Sequence, residues 1–240
     1  MEGCDTPKGK LLYKGKAKSV YEYDELHVLI EFRDDITAGD GARHDVIGGK
    51  GPYNCQISSK LFGVLIKAGI DTHFVRQLSD REMLCKSVDI VPIEVIVRNI
   101  AAGSLVKKFP FELGMELSNP IVNLDLKNDA YHDPMLNTDI ALALGIANLQ
   151  ELRALREIGL RVNDVLTEYF DELGLILVDF KLEIGRVDGK LVVADEISPD
   201  TCRLWDKKTR ESLDKDVYRQ NKGDVLATYK RIYEIIMAAK

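Results

Sequence analysis

The spacing of apolar and polar positions changes several times along the chain, and each change predicts an element. LLYKGKAKSVYEY and HVLIEFR are rich in β-branched and aromatic residues, and the polar YDEL separates them, which predicts strands joined by a turn. GGKGPYNCQISSKLFGVLIKAGI opens on glycines and then turns helical, with Ile57, Leu61, Leu65 and Val64 on one apolar face and Gly69 as the stop. Short strands follow at THFVRQ and EMLCK. IEVIVRN alternates cleanly, but Pro92 just before it predicts that no uninterrupted central strand crosses this point. FPFELGMELSNPIVNLDLKNDAYHDPML carries prolines and polar turn signals, which predict a long irregular connection with a role at an active site.

The second half predicts a short helix at NTDIALALG and a long one over 149–173, opened by a capping box of Asn148 and Glu151. Leu152, Leu155, Val162, Val165, Leu166 and Tyr169 supply its buried side, Gly159 is its expected interruption, and Gly174 ends it. LILVDFKLEI reads as a strand, Asp188-Gly189 as a turn into LVVADEI, and 222–239 as a last helix with Val225, Tyr229, Ile232 and Ile236 on one side. Strands and helices come in separate groups without a βαβ rhythm, which predicts an α+β protein. A change of character near residues 85–92 divides it into a β-rich lobe, 1–88, and an α+β domain, 89–240.

The strand LVDFKLEIG places Val178, Phe180, Leu182 and Ile184 on one face and Asp179, Lys181 and Glu183 on the other. Such a charged face is either solvent-exposed or the floor of a cleft, where carboxylates hold a cation and the lysine meets an anion. The aliphatic LILV start favours a central strand and hence the cleft. Glu183 and Asp195 are then candidates to share a magnesium ion, which prefers hard oxygen ligands. A two-residue Asp188-Gly189 turn would pair Glu183 with Ala194 and send Asp195 to the opposite face. A shared metal therefore predicts an odd-length turn that sets Glu183 against Asp195.

Composition narrows the choice. The 240 residues, 45% hydrophobic, suffice for a buried core, and a net charge of -6 argues against a dedicated nucleic-acid binder. No apolar run is long enough for a membrane span, and the N-terminus lacks a signal-peptide core. Cys4, Cys55, Cys85 and Cys202 form no CxxC pair and read as reduced thiols of a cytoplasmic protein. Neither GxxxxGK[ST] nor GxGxxG is present, and no Ser-His-Asp arrangement stands out. Lys16 and Lys18 beside Gly15 suit phosphate; TAGDGAR offers Asp40 and Arg43; RNIAAGS offers Arg98 and Ser104; DEISPDTCRLWD gathers Asp195, Glu196, Asp200 and Arg203, with Trp205 as a packed anchor. Together these features describe a magnesium-nucleotide enzyme acting on a small anionic substrate.

From LYKGKAKSVY through VPIEVIVRNIAAGS, LKNDAYHDP, LVDFKLEIG and DEISPD to RLWDKKT and DKDVYRQ, nearly the whole chain resembles the SAICAR synthetase family. The resemblance implies an ATP-grasp-like fold with the ATP site between a small β-rich lobe and a larger α+β domain. It implies ligation of L-aspartate to the carboxylated aminoimidazole ribonucleotide CAIR, with ATP phosphorylating the CAIR carboxylate first. It also implies roles: Lys16, Lys18 and Lys127 at the nucleotide; Glu183 and Asp195 at magnesium-ATP; Asp40, Arg98, Ser104, Asp200 and Arg203 at CAIR; Lys181 between substrate and transferring phosphate, with Asp179 orienting Lys181 and substrate groups. No residue is assigned as general base. The family often forms dimers, so a homodimer is the expectation, without nucleic-acid or membrane partners. Cys55, where asparagine is expected, and Cys202 depart from the pattern, both outside the charged strand. A small-molecule kinase and a purine-nucleotide-sensing module are the competing readings.

Overall fold

The computed structural model describes residues 8–39 and 41–239; Asp40 and Cys4, singled out above, lie outside the described residues. The first strands are β1 (Leu11–Lys14), β2 (Lys18–Glu22) and β3 (His27–Phe32), followed by the ribbon β4 (Asp35–Ala38) and β5 (Arg43–Val46). Helix α1 (Lys50–Lys67) then runs to Gly69, whose φ of 75° is the left-handed conformation that ends helices. Strands β6 (Phe74–Gln77) and β7 (Glu82–Lys86) complete an antiparallel sheet of order β1-β2-β3-β7-β6.

The second sheet begins with β8 (Asp89–Ile100), a twelve-residue strand that runs through Pro92. This corrects the expected break. From Glu183 to Gly185 on the neighbouring strand, β8 slips from Glu94 to Ile90, so Pro92 falls in a bulge where it need not donate to the ladder. The short helix α2 (Ser104–Lys108) leads to β9 (Glu116–Leu126), in the segment expected to be irregular. Here the register slips between Arg98–Ile121 and Ile100–Glu116, and Pro120 lies in the slipped part of a strand at the end of the sheet. Residues 109–115 before β9, and the 3-10 turn Asp129–Tyr131 with its flanks after it, keep the expected loop character.

Helices α3 (Thr138–Ala143) and α4 (Leu149–Glu172) follow, the latter opened by the reciprocal Asn148–Glu151 capping box. Gly159 does not interrupt α4. A Cβ there would lie 2.9 Å from Val95 Cγ1 and 3.1 Å from Val97 Cγ2, so the glycine lets the helix press directly on β8. Leu152, Leu155, Val162, Leu166 and Phe170 form its buried stripe, each worth about 1.5–3 kcal/mol of apolar burial. Strand β10 (Leu175–Val187) is the spine, pairing with β8, β11 (Lys190–Ala194) and β12 (Cys202–Asp206). The four-residue α5 (Asp216–Arg219) and α6 (Val225–Ala238), capped by Asp224, close the chain.

Two details of β10 differ from simple alternation. Its register against β12 slips by one residue between Leu177 and Asp179. Val178 consequently packs with Ile100 and Ala102, away from the main core that holds Leu177, Phe180, Leu182 and Ile184. The hairpin has the tight two-residue turn: Val187 pairs Lys190, with Asp188 at φ 51° and Gly189 at φ 73°, the signature of a type I′ turn. Glu183 therefore stands opposite Ala194, and the odd register expected from a shared metal is wrong.

The change of sheet falls between Lys86 and Asp89, yet one hydrophobic cluster spans both sheets, from Ile30, Phe32 and Met83 to Val91, Val95 and Phe180. The sheets also touch through backbone: Thr72 bridges Val193 in parallel, with His73 N donating to Val193 O at 2.9 Å. Among the described residues, no helix is long and apolar enough to cross a membrane.

Candidate active site

The polar face of the second sheet carries the charged residues in two groups. On β8, Val91, Ile93, Val95 and Val97 enter the core, so Glu94 and Arg98 point the other way; on β10 the same logic selects Asp179, Lys181 and Glu183. Asp179 pairs Arg98 and Glu183 pairs Glu94 across the ladder. Both Asp179 and Glu183 are at most 5% exposed, so the charged face is a covered floor and not a solvated surface.

At one end, Asp179 holds two guanidinium groups: Arg98 Nη1 donates to Oδ2 at 3.1 Å and Arg203 Nη1 to the same oxygen at 2.7 Å. Arg98 also donates to Ser104 Oγ at 2.9 Å and Asn123 Oδ1 at 2.9 Å. Arg203 reaches Asp216, which in turn accepts from Arg219 at 2.7 Å. Burial lowers the Arg98 pKa, with Arg203 adding to this and Asp179 opposing it. Burial acts the same way on Arg203, but Asp179 and Asp216 overcome it and raise the net value. Gly103 sits under this pair: a Cβ there would fall 2.6 Å from both Arg203 terminal nitrogens. Two arginines and a serine converging at one end of the floor suit a phosphate or carboxylate.

At the other end, Lys181 Nζ donates to Glu94 Oε1 at 2.6 Å and lies 3.5 Å from Glu183 Oε1. Lys127 forms a close ion pair with the same Glu183 oxygen. Lys18, from the first sheet, reaches Asp195 Oδ1 at 2.6 Å and Glu196 Oε1 at 2.7 Å. Burial disfavours the charged Lys181, but Glu183, Glu94 and Asp195 together raise its pKa, so it stays an ammonium. Burial likewise opposes ionisation of Asp195, yet Lys18 and Lys181 hold its carboxyl down to about 2. Lys16 pairs with Asp129 at 2.7 Å at the mouth of the same region.

Asp195 approaches Lys181 although strand pairing alone would turn it away. It follows the last residue of β11 with φ 63°, a left-handed conformation that breaks the alternation. A strained residue, not the hairpin register, brings the second carboxylate to the floor. The donor set is hard oxygen throughout. Among the described residues no group of three His, Cys, Asp or Glu side chains is placed to hold an ion. The residues fit a magnesium ion held by one or two carboxylates with nucleotide phosphates completing its shell, the usual arrangement for this metal.

The expected residues thus divide. Lys16, Lys18, Lys127, Lys181, Glu183 and Asp195 gather at one end, and Arg98, Ser104, Asp179 and Arg203 at the other. Asp179 is bound to arginines while Lys181 is bound to Glu94 and Glu183, so their ion pairs do not support orientation of Lys181 by Asp179. Asp200 stands apart, accepting from buried Lys50 at 2.7 Å and from the Tyr229 hydroxyl. Glu94 was missed. Its position two before Ile96 in an alternating strand showed its face, but its partner Lys181 is 87 positions away.

A covered two-sheet α+β cleft with lysines and carboxylates at one end and an arginine pair at the other defines an enzyme of the nucleotide-using ligase kind. The chain belongs to the SAICAR synthetase family, whose model matches residues 11–236. It is 61% identical to the phosphoribosylaminoimidazole-succinocarboxamide synthase of Methanocaldococcus jannaschii over 95% of this chain and 94% of the relative. Identity to the enzyme of that name from Methanopyrus kandleri is 52%, over 96% and 94%. Among solved structures it resembles a SAICAR synthetase in complex with ADP at TM-score 0.92 and 48% identity, covering 95% of this chain and 98% of that one. The Ehrlichia chaffeensis enzyme matches at TM-score 0.92 and 41% identity, covering 96% and 100%.

Proposed function

We propose that the two ends of this floor divide the family reaction, the lysine–carboxylate end handling magnesium-ATP and the arginine end handling CAIR. As a member of the family, the chain is an ATP-dependent ligase that joins L-aspartate to CAIR and yields SAICAR in purine biosynthesis. The observation that carries the division is Lys181, which sits on the same strand face as Asp179, two residues along, with its ammonium among Glu94, Glu183 and Asp195.

A carboxylate is a poor electrophile. Transfer of a phosphoryl group to a CAIR carboxylate oxygen makes an acyl phosphate, from which the aspartate amine displaces phosphate and forms the amide. Lys181 places its ammonium where negative charge passes between the two reactants, a role in which electrostatic stabilisation is strong. Arg98, Ser104 and Arg203 hold the anionic groups of CAIR, and the resemblance to the family adds Asp40, outside the described residues, as a further contact. Asp200 in the Lys50 pair shapes the adjoining loop more than it touches substrate. Lys16, Lys18 and Lys127 face the nucleotide phosphates. Glu183 and Asp195 would hold magnesium, which when bound neutralises phosphate charge and orients the transferring group. In this reading residues 1–88 form the nucleotide lobe and 89–240 the substrate domain, with ATP between them. Buried thiols suit a cytoplasmic setting, and a homodimer is retained as the expected assembly.

The test is product identification. Purified protein with CAIR, L-aspartate and magnesium-ATP should give the succinocarboxamide by mass spectrometry, one ADP per product. ADP release that needs no aspartate and yields a phosphorylated product would replace this reading with the kinase.

A further inference from the structure

The turn between β1 and β2 precedes Lys18 and carries Lys16, and it closes on itself where Gly15 N donates to Lys18 O at 2.9 Å. Arg33, the residue after β3, holds it from one side. Its main-chain N donates to Ala17 O at 2.8 Å. Its Nη2 donates to Gly15 O at 2.8 Å and to Lys16 O at 3.3 Å. One residue thus takes three successive carbonyls of the turn.

The guanidinium is itself fixed. Nη1 donates to Ser19 Oγ at 2.8 Å, and Ser19 is buried. Nε donates to Asp35 Oδ2 at 2.9 Å, and the other Asp35 oxygen lies 2.7 Å from His44 Nε2 on β5. A guanidinium has five N–H groups in a rigid fork, and these bonds direct four of them at protein acceptors. A cation so engaged is placed to shape the turn and not to grip a phosphate itself. A lysine ammonium, a compact charge on a flexible stem, cannot reproduce the fork. In a trans peptide the N–H points opposite to the C=O. With the Gly15 and Lys16 carbonyls turned to Arg33, the N–H groups of Lys16 and Ala17 face away from it. Successive N–H groups on one side of a turn suit an anion.

We propose that Arg33 is a positioning residue for the nucleotide: by taking the carbonyls of residues 15–17 it fixes the turn in the orientation that offers its amides and Lys16 to the phosphates. The proposal rests on the reading of Lys16 and Lys18 as nucleotide-phosphate contacts. It gives a cation that reaches no phosphate a defined part in nucleotide affinity. Asp35 and Ser19 hold the guanidinium, the guanidinium holds the turn, and the turn meets the ligand.

The experiment measures ADP binding at saturating magnesium by calorimetry, and KM for CAIR, in the full chain and in Arg33→Met, Arg33→Lys and Lys16→Met. Loss of the fork predicts about a tenfold weaker Kd for ADP in Arg33→Met, with KM for CAIR within about twofold of wild type. Arg33→Lys keeps the charge but not the fork and should stay at least about threefold weaker than wild type. If Arg33→Met yields no soluble protein, Arg33→Gln replaces it with the same expectation. A merely structural role predicts either unchanged ADP binding or an equal loss for CAIR, and each result overturns the proposal. Full ADP binding by Arg33→Lys overturns it too, since charge alone would then suffice. These outcomes strike the proposal alone when Lys16→Met still weakens ADP binding. Unchanged ADP binding by Lys16→Met overturns the placing of the turn at the phosphates, and the proposal with it.

Discussion

Lys18 Nζ lies 2.6 Å from Asp195 Oδ1, joining residues 177 positions apart and a strand of the first sheet to the end of a strand in the second. The chain brings Lys18 and Asp195 together only through the complete fold. Nucleotide binding should therefore report on how the two sheets meet as well as on the residues at the floor.

Replacing Lys181 by methionine removes the ammonium between Glu94 and Glu183 and keeps most of its apolar stem. Turnover should fall by about 10²–10³-fold, the loss typical of one preorganised charge in a covered site. Circular dichroism should be unchanged. Near-normal kcat in a folded variant would remove Lys181 from the chemistry.

Glu183→Gln keeps the shape of a side chain that meets Lys127 and Lys181 but loses its charge. The magnesium concentration giving half-maximal ADP formation should rise by about tenfold, as one charged contact is worth about 1.5–3 kcal/mol. An unaltered magnesium titration would assign the metal elsewhere.

Gly103 has φ 56° and supports the Arg203 guanidinium from below. Gly103→Ala meets both an unfavourable backbone and a side chain with nowhere to go. KM for CAIR should rise by at least about tenfold, with KM for ATP nearly constant, since a strained φ costs about 1–3 kcal/mol and the guanidinium must move. Equal changes in both constants would contradict the division of the floor.

Lys50 and Asp200 form a buried pair completed by Tyr229. Lys50→Met strands the carboxylate and should cost about 3–5 kcal/mol in urea unfolding, while Lys50→Met with Asp200→Leu should cost less. Burial opposes ionisation of Asp200, but Lys50 and Lys215 lower its pKa below 3.8. A carboxyl depressed on folding contributes stability that is present above the unfolded value and lost as pH falls through the folded one. Asp195, held down to about 2, behaves the same way. Stability should therefore drop as pH falls below about 4, and the drop should be shallower in the double variant. An equally steep acid limb would deny the pair its part.

Much of this was legible along the chain. The stripe of α4, its capping box and the alternation of β10 from Asp179 to Ile184 are local patterns, and the structure has them; the slip that turns Val178 to another cluster is not one. Strand β9 was not, because Pro120 and the surrounding polar residues mimic a loop, while a strand at the sheet's end tolerates what a central one does not. The hairpin shows a conflict between two local signals. Asp188-Gly189 favoured the tight turn, and the idea of a shared metal favoured the odd register. Turn chemistry won, and the left-handed Asp195 resolved the conflict one residue beyond the strand. Glu94 acts on a partner far away in sequence, so it could not be assigned from spacing.

Activation of CAIR by phosphorylation of its carboxylate before aspartate attacks is tested directly by oxygen labelling. With ¹⁸O in the CAIR carboxylate, single-turnover reaction with L-aspartate and magnesium-ATP should deliver one labelled oxygen into inorganic phosphate for each SAICAR formed. Unlabelled phosphate accompanying SAICAR would contradict the acyl phosphate and the role assigned to Lys181.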